Sequence, residues 1–297
     1  AATTGAITLQ VTNGALSGTA ANLVSAFAGT VTEHTGTVTI TDEPTTAQLV
    51  TINAATTGAI TLNDVDGALS GSSADMAAAF AGTVTEHTGT VTLTDAPSVA
   101  ELVTINAATT GAITLQVTNG ALSGTAANLV SAFAGTVTEH TGTVNVTDAL
   151  SVANANTIDA ATTGVITATV QDDATTLATL TGTGNAYTIT LDNDDAATLA
   201  ELVTINAATT GAITLNALTI AANYSGSAAD MAAAFAGTVT EHTGTVTLTD
   251  APSVAELVTI NAATTGAITL QVTNGALSGT AANLVSAFAG TVTEHTG

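Results

Sequence analysis

Val91 and Leu93 alternate with Thr90, Thr92 and Thr94. A period of two in a run rich in β-branched residues predicts a strand with one apolar and one hydroxylic face. Asp95-Ala96-Pro97 interrupts it. Ser98-Val99-Ala100-Glu101 then has the Ser-x-x-Glu form of a capping box, with Glu101 able to reach back to the Ser98 amide. Val99 and Leu102 give the following helix one apolar face, and Gly111 stands where a glycine past a helix takes the left-handed conformation. The same slot reads Thr45…Gln48, Thr198…Glu201 and Ser253…Glu256 elsewhere, with the letters changed and the capping chemistry kept.

A second strand-then-helix half runs from Ala112 to Gly142. Ile113, Leu115 and Val117 alternate with Thr114 and Gln116, and Asn119-Gly120 is a turn signal. A short helix is expected around Thr125–Ala134, with Leu129 and Phe133 four apart on one face and Gly135 ending it.

These halves recur. AATTG begins at Ala1, Ala54, Ala107, Ala160, Ala207 and Ala262, at spacings of 53, 53, 53, 47 and 55 residues. The sequence of Ala1–Gly36 returns letter for letter at Ala107–Gly142 and Ala262–Gly297, and Ala74–Gly142 is identical to Ala229–Gly297. The array divides into repeats 1–53, 54–106, 107–159, 160–206, 207–261 and 262–297, the last cut short. The fourth runs through Leu180–Tyr187 in place of the second helix segment, which shortens its period.

One strand and one short helix bury too little to fold alone, because isolated helices under about 12 residues are marginal in water. Stacking solves this, and a fixed period is the signature of stacked arrays. The expected fold is an elongated α/β solenoid, with half-repeats of a strand plus a short helix building a parallel sheet. The alternative is a mostly-β solenoid in which the Ala-rich segments are turns.

Composition narrows the partners. The 297 residues include no Lys, Arg or Cys, and 23 Asp plus Glu set a net charge of −23. Phosphate neutralisation needs Lys or Arg, so nucleic-acid binding is excluded, as is attraction to anionic lipid. Disorder does not fit a chain that is 45% hydrophobic with patterned apolar positions. No apolar run approaches the roughly 18 residues of a membrane span. The opening on Ala1 and the stop part-way through a repeat read as the mature or excerpted part of a longer chain. The lack of Lys and Arg removes trypsin-type cleavage sites, and small nitrogen-poor residues suit export in bulk. An extracellular setting is the expectation.

The repeats resemble, through the AATTG turn, TVTLTD with SVAEL, and TITLDN with LAEL, the tracts of very large secreted bacterial surface proteins, especially cyanobacterial ones. That resemblance implies an adhesin-like or surface-layer-like role. The tandem Gly-Gly-x-Gly-x-Asp calcium signature of the RTX family is absent, since no Gly-Gly pair occurs.

Candidate chemistry is sparse. His34, His87, His140, His242 and His295 all lie in the same EHTG. A catalytic reading would use Glu33 to orient His34 against a threonine, but five copies of one dipeptide read better as duplicated turn residues. A metal row of His34, His87 and His140 lacks four converging ligands per ion. The carboxylates are more suggestive. Asp64 and Asp66 in Asn63-Asp64-Val65-Asp66-Gly67, the Asp172-Asp173 pair, and Asp192, Asp194 and Asp195 supply oxygen ligands with no cation in the chain to pair them. Ca²⁺ is the candidate ion, against solvated turns where Asp is favoured anyway. Thr37/Thr39/Thr41, Thr90/Thr92/Thr94 and Thr245/Thr247/Thr249 would form outward ladders, as in ice-binding solenoids, or a wet strand face. Asn145-Val146-Thr147 and Asn223-Tyr224-Ser225 match glycosylation sequons.

The expected function is therefore a non-catalytic extracellular structural repeat that builds a filament, sheath or surface layer with itself as partner, divalent cations screening neighbours. The alternative is the stalk or binding region of a large adhesin for ice, glycan or another surface.

Overall fold

A computed structural model describes residues 5–192 and 195–297. Its backbone falls into two compact units, Ala1–Val144 with Ala161–Gly164, and Asn145–Ala160 with Val165–Gly297.

The first unit contains β1 (Leu16–Gly18), α1 (Ala20–Ala26), β2 (Val38–Ile40), α2 (Thr46–Ala54), β3 (Ile60–Leu62), β4 (Leu69–Gly71) and α3 (Ser73–Ala79). It continues with β5 (Val91–Leu93), α4 (Val99–Ala108), β6 (Ile113–Leu115), β7 (Leu122–Gly124) and α5 (Ala126–Ala132). After β8 (Val144–Leu150) the second unit contains α6 (Val152–Asp159), β9 (Ile166–Asp172), α7 (Ala174–Leu177), β10 (Ala186–Leu191), α8 (Leu199–Ala208), β11 (Ile213–Thr214) and α9 (Ala217–Ala221). Then come β12 (Tyr224–Gly226), α10 (Ala228–Ala234), β13 (Val246–Leu248), α11 (Val254–Ala263), β14 (Ile268–Leu270) and α12 (Ala281–Ala287). This repeating strand–helix order, with several small parallel sheets, is an α/β repeat fold.

The helices start where the sequence places caps. Thr45, Ser98, Thr198 and Ser253 each close a capping box with Gln48, Glu101, Glu201 and Glu256. Each satisfies two of the N–H groups that a helix start leaves free. The apolar face is the expected one, since Leu102 and Ile105 are fully buried and Val99 nearly so.

Pairing is parallel throughout the registered sheets. In the first unit Leu16, Val38 and Ile60 stand side by side in β1-β2-β3, and Leu69, Val91 and Ile113 in β4-β5-β6. In the second, Tyr224, Val246 and Ile268 do the same in β12-β13-β14, while β9, β10 and β11 adjoin in order. Ile60 and Ile113 each bridge one further residue, Val84 and Val137. In strands such as β3, β5, β6 and β13, inward Val, Ile and Leu flank an outward Thr, which gives them a dry and a wetter face.

The stacking period differs from the sequence period. Val38 pairs with residues 22 before and 22 after it, and not with Val91, its equivalent one repeat later. Helices recur every 26 or 27 residues, as the starts at Ala20, Thr46, Ser73, Val99 and Ala126 show. Each sheet takes in a strand of the following repeat, as β3 at Ile60 joins β1 and β2, β6 at Ile113 joins β4 and β5, and β11 at Ile213 joins β10.

One turn assignment also changes. Gly111 does not take a left-handed conformation, because α4 ends in an extended Thr109. The positive-φ glycines are Gly29, Gly82, Gly135, Gly184 and Gly237, four of them ending the short second helix of a repeat as expected for Gly135. Asn119-Gly120 lies in the connection between β6 and β7, and the strand Leu122–Gly124 precedes the short helix expected next.

Candidate functional site

The groups with the richest chemistry sit on the line where EHTG meets AATTG of the next pass of the chain. Glycine makes that line possible. A Cβ on Gly58 would lie 1.8 Å from Gly36 O, one on Gly111 1.8 Å from Gly89 O, and one on Gly266 1.7 Å from Gly244 O. No side chain fits between backbones that close, so these glycines serve close approach rather than an unusual φ.

Beside each glycine column stands a histidine. His34 Nε2 is 2.7 Å from Gly14 O, and Nδ1 is 3.3 Å from Thr56 Oγ1. A carbonyl oxygen only accepts, so Nε2 bears the proton, while Nδ1 lies against a hydroxyl whose one proton is directed to the histidine's own carbonyl. Thr56 Oγ1 in turn donates to His34 O at 2.9 Å and accepts from Gly58 N–H at 3.0 Å. One imidazole therefore joins a residue 20 positions earlier to one 22 positions later, tying three passes of the chain together.

The arrangement recurs with His87 between Gly67 O and Thr109, His140 between Gly120 O and Thr162, and His242 between Ala222 O and Thr264. Phe27, Phe80, Phe133 and Phe235 lie against the four rings. His34, His87 and His140 are 2% exposed and His242 is 0% exposed. They are buried ties, not turn residues. Burial pushes the pKa of His140 and His242 below the ordinary histidine value, and the hydrogen bonds to Gly120 O and Ala222 O offset part of that.

The fourth repeat, without histidine, solves the same problem differently. Asn185 bridges Thr209 in the histidine's place and is 3% exposed. Its Oδ1 accepts from Ile166 N–H at 2.9 Å and its Nδ2 donates to Asp159 Oδ1 at 2.9 Å.

Helix ends are bound across passes as well. Asp42, Asp95 and Asp250 accept from the first amides of α1, α3 and α10, at Ala20, Ser73 and Ala228, over 2.7 to 2.8 Å. At the other end, Asn53 and Asn106 donate to the last carbonyls of α3 and α5, Ala79 O and Ala132 O among them. Asn206 and Asn261 do so for α10 and α12. A seven-residue helix leaves most of its backbone groups free, and these side chains supply partners.

Comparison with family models, curated proteins and solved structures gives no match.

The carboxylates considered for calcium are spread over several roles. Asp173 caps α7, accepting from Thr176 N–H at 2.8 Å and Thr176 Oγ1 at 2.9 Å, which lowers its pKa. Asp172 accepts from the Asp173 amide and Asp192 from Gln171 Nε2. Asp64 is half-buried, Asp66 and Asp195 are exposed, and Asp194 lies outside the described residues. Among the described residues no group of three or more His, Asp or Glu is placed to hold a metal. No described helix is long and apolar enough to cross a membrane.

The threonine ladders form, but along the 22-residue register. Ser17, Thr39 and Thr61 adjoin, as do Ser70, Thr92 and Thr114, and Ser225, Thr247 and Thr269. The grouping of Thr37 with Thr39 and Thr41 describes one strand's wet face instead. Sequence reading missed the histidine–threonine ties, although the signal was present: EHTG and AATTG glycines are 22 apart at Gly36–Gly58, Gly89–Gly111, Gly142–Gly164 and Gly244–Gly266.

Proposed function

We propose that the chain is a non-catalytic, extracellular structural repeat, its passes continuing as an α/β solenoid that self-associates into a filament, sheath or surface layer. The observation that supports it best is where the chemistry goes. Histidine, asparagine and several aspartates are spent on ties between passes, and the outward strand positions hold Ser and Thr. An imidazole closed from solvent, with its Nε2 proton held by a backbone carbonyl and its Nδ1 packed against a threonine hydroxyl, is arranged for cohesion rather than for turning over a substrate. The acidic surface, without any Lys or Arg, makes divalent cations the natural screen between neighbouring copies.

Electron microscopy and sedimentation of the purified chain, with Ca²⁺ and with EDTA, test this. Ordered fibres or lattices, favoured by Ca²⁺, are expected. Monomers at every concentration in both conditions would overturn it.

The in-register Ser17–Thr39–Thr61 type of ladder favours a second reading, a stalk or binding surface for ice or glycan on a large adhesin. Thermal hysteresis in its presence is the outcome that reading requires, and none would retire the ice version.

A further inference from the structure

The carbonyl that accepts from His140 Nε2 belongs to the glycine of Asn119-Gly120. The next pass of the chain presses on that peptide, since a Cβ on Gly142 would lie 2.5 Å from Gly120 O and 2.7 Å from Asn119 O. Thr141 N–H and Gly142 N–H close the same spot by donating to Thr118 O at 2.9 and 3.2 Å. The Asn119 side chain is exposed and takes part in none of these contacts. Among the described residues Gly120 N–H has no hydrogen-bond acceptor either. Asparagine is a thermolabile residue, and a following glycine puts no Cβ between its backbone nitrogen and the asparagine amide.

The second repeat shows what this position holds without harm. There Asp66-Gly67 stands in place of Asn119-Gly120, with Asp66 exposed. His87 Nε2 is 2.8 Å from Gly67 O, and a Cβ on Gly89 would lie 2.5 Å from that oxygen. An aspartate with an ordinary backbone therefore leaves the tie whole. A lengthened backbone has no slack to use, because backbone of the next pass lies directly against it.

We propose that Asn119-Gly120 is a self-modification site, at which the chain converts its own asparagine to isoaspartate and so releases the His140 tie. The Gly120 nitrogen attacks Asn119 Cγ. The N–Cγ bond forms, the Cγ–Nδ2 bond breaks, and the Gly120 proton leaves with the amide as ammonia. Water then opens the cyclic imide. Addition at Cγ restores the ordinary backbone and gives aspartate, the arrangement of Asp66. Addition at the main-chain carbonyl carbon of Asn119 leaves the backbone running through Cγ, one methylene longer, as isoaspartate. That methylene carries Gly120 O away from His140 Nε2 and from its seat against Gly142. The His242 tie has no such release, because its acceptor is Ala222 O and no Asn-Gly stands there.

Asn13-Gly14 and Asn274-Gly275 repeat the dipeptide, so the test uses the full chain with Asn13→Gln and Asn274→Gln. The folded chain is aged at pH 8 beside the same chain kept unfolded in urea. Cleavage after glutamate makes the fragment Leu102–Glu139 unique, and mass spectrometry with isoaspartyl methyltransferase labelling reads it. An amide-to-acid mass gain and methyl labelling are expected in that fragment of the folded chain, and neither with Asn119→Gln. In the isoaspartate fraction, amide exchange at Thr141 and Gly142 should be at least tenfold faster. Thr88, Gly89, Thr243 and Gly244 should keep their rates, and Asn119→Asp should exchange like the unaged parent. No conversion in the folded chain over the time in which the unfolded chain converts would overturn the proposal. So would an isoaspartate fraction whose Thr141 and Gly142 exchange as before.

Discussion

Thr56 Oγ1 lies 3.3 Å from His34 Nδ1 while it donates to the carbonyl oxygen of the same histidine at 2.9 Å. Side chain and backbone of one residue are thus met by a single hydroxyl 22 positions on. Repetition of this contact at His87, His140 and His242 makes it a principal tie between passes.

Removing one tie should be costly. His140→Ala leaves Gly120 O without its imidazole donor and opens a cavity beside Phe133, while the Thr162 hydroxyl keeps its bonds to the carbonyl of residue 140 and to Gly164 N–H. A loss of about 2 to 4 kcal/mol is expected from the unpaired carbonyl and the void. Thr162→Val should cost about 1 to 2 kcal/mol. Urea unfolding of the two single variants and the double variant measures the coupling, which should be non-additive because both act on one contact.

The ties predict acid sensitivity. Burial holds His140 and His242 below the ordinary value of 6.5, so the unfolded chain takes up protons first as pH falls. Their contribution to stability is complete above about pH 6.5 and is lost progressively below it, down to the folded-state pKa. His140→Asn with His242→Asn removes that slope, Asn being the residue found at position 185. The stability difference between parent and double variant, measured by urea unfolding, should shrink from pH 7 to pH 5. A difference independent of pH would contradict the assignment.

Glycine positions that look alike in sequence should respond differently. Gly111→Ala places a Cβ 1.8 Å from Gly89 O, whereas a Cβ on Gly14 meets nothing within 4 Å. The first substitution should lower stability by about 3 kcal/mol through overpacking. The second should leave the thermal midpoint nearly unchanged.

Much of the secondary structure is legible in the sequence, and the reasons are local. Ser98-x-x-Glu101 specifies a helix start through contacts three residues long, and Val91/Leu93 specify a strand face by simple alternation. The ties are harder to read, since His34 and Thr56 belong to different repeats and their 22-residue separation is hidden by the 53-residue period. The asparagine contacts are concealed for the same reason. Nothing near Asn106 announces that its amide serves carbonyls of α5, 25 and 26 residues away.

Those asparagines give a further prediction. Asn106→Asp turns a donor into a carboxylate facing Ser131 O and Ala132 O at the negative end of α5. Amide hydrogen exchange in Ala126–Ala132 should quicken, while α2 and α3 keep their protection. Asn106→Ala should have the same direction with a smaller effect.

The 22-residue register is tested most directly by paired cysteines, since the chain has none of its own. Ser70 and Thr92 adjoin on neighbouring parallel strands, about 4.8 Å apart across the sheet and within disulfide reach. Thr39 and Thr92 are equivalent residues of successive repeats and lie in separate sheets. Oxidation should crosslink Ser70→Cys with Thr92→Cys within one chain and leave Thr39→Cys with Thr92→Cys reduced. Crosslinking of the second pair and not the first would mean that like residues stack on like, and the register described above would be wrong.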